Sequence, residues 1–225
     1  MVRSAMMLIV LAATATLLTQ PGPSFDCRRA TTGAEHAICA DPILSALDRD
    51  MADSYAAARS RLGPRARVAL RSDQQAFLRL RELIHDRRDD PVMADYGGIG
   101  DQMAGRTSFL DSVEAPHGPG LVGIWGNLYG SVEVRDAGNG RLIAEIATVN
   151  PEAARWICEV EIRAVPRRGR LTGRPDGQGS VTVSLERGDG FLRVTETWPD
   201  GERGQPDYCG NNGFVAGDYL PVRAP

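Results

Sequence analysis

Lysine is absent: the 26 side chains counted as lysine or arginine are all arginine. A lysine nucleophile or a Schiff base is therefore excluded. Histidine is almost as scarce, with His36, His85 and His117 scattered without ligand spacing. No Cys-x-x-Cys pair and no His-Glu-x-x-His motif accompanies them, so the residues nominate no metal site. There is no Gly-x-Ser-x-Gly, and Gly98-Ile-Gly100 lacks the third glycine and the preceding strand of a phosphate cradle. Basic excess is missing as well: 29 acids outnumber the arginines for a formal net charge of −3, which disfavours nucleic acid as a partner. Asp48-x-Asp50-x-x-Asp53 lacks the glycine and closing glutamate of a calcium loop and reads as the exposed face of a helix. The sequence nominates no catalytic residue and no cofactor, and the expectation is a protein that is not an enzyme.

What is present begins with a leader. Arg3 precedes an apolar run that fades into Gln20-Pro-Gly-Pro, the order of a secretory signal peptide. Its strongly apolar part is about 14 residues, short of the roughly 20 that cross a bilayer. Residues 1–23 are expected to be removed on export, with cleavage between Thr16 and Ser24, leaving a periplasmic or secreted chain without a membrane span. Asp26 directly before Cys27 argues against a lipoprotein anchor. In an oxidising compartment the four cysteines, Cys27, Cys39, Cys158 and Cys209, read first as disulfides.

Two hydrophobic periods divide the remainder. In residues 24–115 the signals are helical. Thr32-Gly-Ala-Glu35 fits a capping box, and Asp41-Pro42 supplies an N-cap followed by proline at the first helical position. Ile43, Leu44, Leu47, Met51, Tyr55 and Ala58 then recur at spacings of three and four until Gly63-Pro64. A third helix is expected over about 65–85 on Val68, Leu70, Phe77, Leu80 and Ile84, and a weaker one over about 101–113 on Met103, Phe109 and Leu110. Ala115-Pro-His-Gly-Pro-Gly120 cannot continue a helix, and residues 116–120 are expected as a linker. From 121 to 225 the period becomes two: Val132 and Val134, Trp156 to Ile162, and Val181 to Leu185 alternate with polar neighbours. Turn sequences at 137–140, 175–177 and 188–190 separate them. The expected fold is α+β, a small helical hairpin followed by an antiparallel β barrel or sandwich. Four cysteines allow three connectivities, and the break between the halves favours 27–39 with 158–209.

A longer pattern crosses the helical half: Phe25-Asp-Cys27, Thr32-x-x-Glu35-x-x-Ile38-Cys39, Asp41-Pro-x-Leu44, Leu47-Asp48, Tyr55, then Gln74-x-x-Phe77-x-x-x-Arg81-Glu82. It resembles the N-terminal domain of the LprI-like lysozyme-inhibitor family over about residues 25–85. Phe77 stands where that family carries tryptophan, and Leu83-Ile84 where it carries a further cysteine pair. The resemblance implies an exported helical domain and a protein partner, lysozyme or another envelope hydrolase. It also implies roles for Glu35, Asp48, Tyr55, Gln74, Phe77 and Arg81, chiefly structural, with Asp48 and Arg81 pairing between helices. The alternative is a periplasmic module that binds a small molecule or envelope component without inhibiting anything, with Trp125, Tyr129, Trp156 and Trp198 as candidates to line a barrel mouth.

Overall fold

A computed structural model of the chain describes residues 22–115, 118–152, 154–175, 181–199, 201 and 204–224, with the backbone alone at 94–96. Residues 1–21 of the expected leader, His117 and Pro116 of the expected linker, and Asp176-Gly177 of the expected 175–177 turn lie outside them. Four α-helices come first: α1 (Gly33–Ala40), α2 (Pro42–Arg61), α3 (Pro64–Asp86) and α4 (Ile99–Ser112), with short 3-10 turns at Cys27–Arg29 and Pro91–Tyr96. Eight strands follow: β1 (Gly123–Asn127), β2 (Gly130–Gly138), β3 (Arg141–Val149), β4 (Ile157–Ala164), β5 (Arg170–Gly173), β6 (Thr182–Arg187), β7 (Leu192–Thr197) and β8 (Gly217–Pro221).

The helix starts follow from side-chain chemistry. Thr32 Oγ1 accepts from the Glu35 N–H at 3.3 Å while the Glu35 carboxylate accepts from the Thr32 N–H at 3.2 Å, which satisfies two backbone donors that the helix itself leaves unpaired. Asp41 Oδ1 caps α2 by accepting from Ile43 N–H at 2.7 Å. The buried line of α2 departs from the sequence pattern. It runs through Ser45, Asp48, Met51 and Ala58, and Ile43 is 71% exposed. Two polar contacts account for the rotation: Ser45 Oγ donates to the Ile38 carbonyl at the end of α1, 2.7 Å away, and Asp48 faces Arg81. Asp48 is therefore not part of the exposed acidic face expected with Asp50 and Asp53; it is 2% exposed. On α3, Leu70, Phe77, Leu80 and Ile84 are buried as expected, whereas Val68 is 62% exposed, because two residues advance the helix by about 200° and put it opposite Leu70.

The strands form one antiparallel sheet in the order β4-β3-β2-β1-β8-β7-β6-β5, curled into a nearly closed barrel. Trp125, Val132, Val134, Ile146, Val160, Ile162, Val183, Leu185 and Tyr219 fill its interior. At the seam Gly173 of β5 meets β4: a Cβ there would lie 2.5 Å from Ile162 Cγ2, so the close approach depends on glycine. Elsewhere the outer edge of β4 is covered by the 208–210 segment. Glu159 N–H donates to the Tyr208 carbonyl at 3.2 Å, Gly210 N–H donates to the Ile157 carbonyl at 2.9 Å, and the Cys158–Cys209 disulfide locks the pair. An unpaired edge is thereby shielded from other chains.

The two halves share a core. Phe191, Leu220 and Val222 of the β part pack with the helical apolar cluster. The chain after β8 runs beside the end of α4, where Glu114 N–H donates to the Pro221 carbonyl and Arg223 N–H to the Ser112 carbonyl, each at 2.9 Å. Arg61 Nη1 donates to the Val113 carbonyl at 2.8 Å, and Arg87 pairs with Glu152. Around residues 116–120, therefore, the flanking segments are held against each other by backbone pairing and side-chain burial.

Candidate binding sites

The cleft between α2 and α3 collects the residues of the family-like pattern. Arg81, 5% exposed, donates from Nη1 to Asp48 Oδ1 at 3.3 Å and from Nη2 to Glu82 Oε1 at 3.2 Å. The other Asp48 oxygen accepts from both the N–H and the hydroxyl of Ser24, at 2.8 and 2.6 Å. Ser24 belongs to the segment that the Cys27–Cys39 disulfide, with Cα atoms 5.8 Å apart, ties to α1. The staple therefore has a polar consequence: it sets the lead-in chain over the buried ion pair. Beside that pair opens a pocket of about 410 Å³, walled by Phe25, Met51, Tyr55 and Leu78, with Arg71, Gln74 and Gln75 at its polar side. Glu35, Asp48, Tyr55, Gln74 and Arg81 all line it. Phe77 does not: it lies buried behind, in the helical core.

Two residues that the sequence reading passed over brace this cleft from the rear. Arg106 of α4, 4% exposed, donates from Nε to Gln74 Oε1 at 2.8 Å and from Nη1 to Asp73 Oδ2 at 2.7 Å. Its guanidinium lies over the rings of Phe77 and Phe109, at 5.5 and 4.8 Å. Burial pulls the Arg106 guanidinium below its ordinary pKa, and the Asp73 carboxylate opposes that shift. The remaining oxygen of Asp73 accepts from the Leu128 N–H at 2.8 Å, so one carboxylate joins α4, α3 and the β1–β2 turn. The available signal was positional, since Arg106 sits three residues after Met103 and four before Leu110, on the stripe expected to be apolar.

A second surface lies on the barrel's outside. Register places Glu133, Glu145 and Glu161 directly across from one another on β2, β3 and β4, and Glu159 joins them around a shallow hollow of about 490 Å³ floored by Ser131 and Ala147. Carboxylates directly opposite each other destabilise a sheet. Arg135, paired with Glu133 and Glu145, and Arg163, paired with Glu161, offset part of that repulsion, and hydrogen bonding to Arg163 holds the Glu161 carboxyl below its usual range.

The aromatic residues considered for a barrel mouth separate. Trp125 is interior, donating from Nε1 to the Leu121 carbonyl at 3.0 Å. Tyr129 and Trp156 instead cluster with Phe214, each with its ring centroid 5.0 Å from that of Phe214, while Trp198 is half-buried against the barrel core. Among the described residues no group of three or more histidines, cysteines or acids is placed to hold a metal, and no helix is long and apolar enough to cross a membrane. No protein-family model matches the chain, and neither a curated protein nor a solved structure does.

Proposed function

We propose that the chain is an exported, non-catalytic protein of the lysozyme-inhibitor kind, which binds lysozyme or another envelope hydrolase and blocks it. The observation that carries this reading is the row of carboxylates on β2–β4. Three glutamates in direct cross-strand register repel one another, and two arginines offset only part of that, whereas a cationic partner would turn the arrangement into complementary charge, speeding encounter and fixing orientation. Lysozymes of the animal type are basic, and their two catalytic carboxylates act in a long cleft that a rigid body can cover. Two disulfides and the shared core supply rigidity, so less ordering is lost on binding. The family-like pattern supports the same reading, because residues far apart in sequence gather around one cleft. The test is hydrolysis of labelled cell walls by lysozyme with the purified protein in excess. Inhibition that weakens as salt rises and in the triple variant Glu133→Gln, Glu145→Gln, Glu161→Gln is expected; undiminished hydrolysis removes the reading.

The second reading, a module that binds a small molecule or an envelope component, is favoured by a separate observation. The α2–α3 pocket combines apolar walls with a few convergent polar groups, the usual constitution of a ligand site. On this reading the ligand would sit in the helical part rather than at a barrel mouth.

A further inference from the structure

We infer that the α2–α3 pocket is a site for a carboxylate carried on an apolar body, the chemistry shared by a fatty acid and by the free C-terminus of a peptide ending in an apolar residue. The inference rests on the second reading above and is independent of inhibition. It follows from an inventory of donors and acceptors around the cavity. Most of the charged acceptors are committed: Asp48 gives one oxygen to Arg81 and the other to Ser24, and Glu35 Oε2 accepts from the N–H groups of Thr31 and Thr32 at 2.7 and 3.2 Å. Gln74 Oε1 is held by Arg106. The donors are in surplus. Arg81 Nε is buried with no hydrogen-bond partner among the described residues, and a buried donor left unpaired carries its full desolvation penalty. Arg71 and Gln75 bring a guanidinium and an amide to the same lining, and Tyr55 brings a hydroxyl.

The formal charges of Arg71 and Arg81 balance those of Asp48 and Glu35, so the preference comes from hydrogen-bonding direction rather than a net field. A ligand must supply acceptors, and a carboxylate supplies two in the planar geometry a guanidinium matches. The walls of Phe25, Met51, Tyr55 and Leu78 then require that the carboxylate be attached to something apolar. A cavity of about 410 Å³ is within the range used for small ligands. Arg71, exposed on α3, is the guanidinium a ligand reaches first, and Arg81 forms the floor.

The experiment is calorimetric titration of the purified protein with three probes: decanoate, N-acetyl-leucine and the neutral decanamide. Saturable one-to-one binding of decanoate or N-acetyl-leucine is expected, with decanamide and the Arg71→Gln variant each weaker by about tenfold or more, one charge-assisted contact being worth that much. Which of the two acids binds distinguishes a lipid source from a peptide source. Arg71 is exposed, so its variant should keep its fold, and an unchanged unfolding temperature would verify this. Decanamide binding as tightly as decanoate, or Arg71→Gln leaving the acids unaffected, overturns the carboxylate assignment while the binding-module reading stands. Absence of binding by all three probes at millimolar concentration overturns both.

Discussion

The two halves bury different things. Of the buried polar or charged residues among those described, Ser45, Asp48, Gln74, Arg81 and Arg106 belong to the helices and Thr148 to the barrel. The barrel keeps an apolar interior and carries its charges outside, including a row that repels itself. The helical half accepts ionised groups between its helices, where desolvation can exceed the Coulombic gain. A helix pair built only for stability would place leucine at 48 and methionine at 81. The contrast teaches that the helical half gives up stability to hold an oriented polar cleft, while the barrel contributes stiffness and an outward surface.

The sharpest way to break this comparison is to remove one member of the buried pair. Asp48→Ala should destabilise by about 3 kcal/mol, since buried Arg81 is left with only the part-exposed Glu82 as counter-charge, and urea unfolding measures it. Asp48→Leu combined with Arg81→Met should recover most of that loss, and a double variant as unstable as the single one would show that the pair is needed for folding itself. Next in size are the staples. Serine at 158 and 209 should cost about 4 kcal/mol, and serine at 27 and 39 about 3, in the chain-entropy account of loop closure. The smaller of these should nevertheless affect the pocket more, because it frees Ser24; probe titrations on both variants decide this.

A smaller effect of opposite sign is expected on the barrel. Glu145→Gln, at the centre of the row, should raise stability by a few tenths of a kcal/mol (about 0.2 to 0.5) while weakening any lysozyme complex at low salt. Stabilisation without loss of affinity would detach the row from binding. Smallest is the pH dependence of the α1 cap. Backbone hydrogen bonding from Thr31 holds the Glu35 carboxyl below its ordinary value of 4.5. Its stabilising contribution is therefore complete above that value and fades as pH falls through the lowered one. Glu35→Gln should flatten the acid side of the stability curve and leave its shape near neutrality unchanged, as unfolding between pH 7 and 3 will show.

Much of the architecture was legible because it rests on local rules. The capping box at Thr32, the Asp41-Pro42 start, the alternation in β4 and β6 and the glycine turns each fix a few neighbours without outside help. The halves' different periods were enough for α+β, and the break between them was enough to favour the cysteine pairing. Ile43 and Val68 were misread for one reason: both are apolar and near a stripe, and the face a helix buries is chosen by its partners. The site was legible as a pattern but not as a place. Nothing along the chain says that Glu35, Asp48, Tyr55, Gln74 and Arg81 surround a single cavity, and Arg106 and Asp73 acquire their roles only when α4, α3 and Leu128 meet. The carboxylate row likewise exists only after strand register is set.

The short stretch from Asp218 to Arg223 completes a barrel on one side and seals a helical core on the other. The helical core is therefore completed by a segment more than a hundred residues downstream, and without it the helices would present an oily seam. Cutting the chain at the loop between the halves should yield a sticky, half-finished bundle rather than an autonomous one.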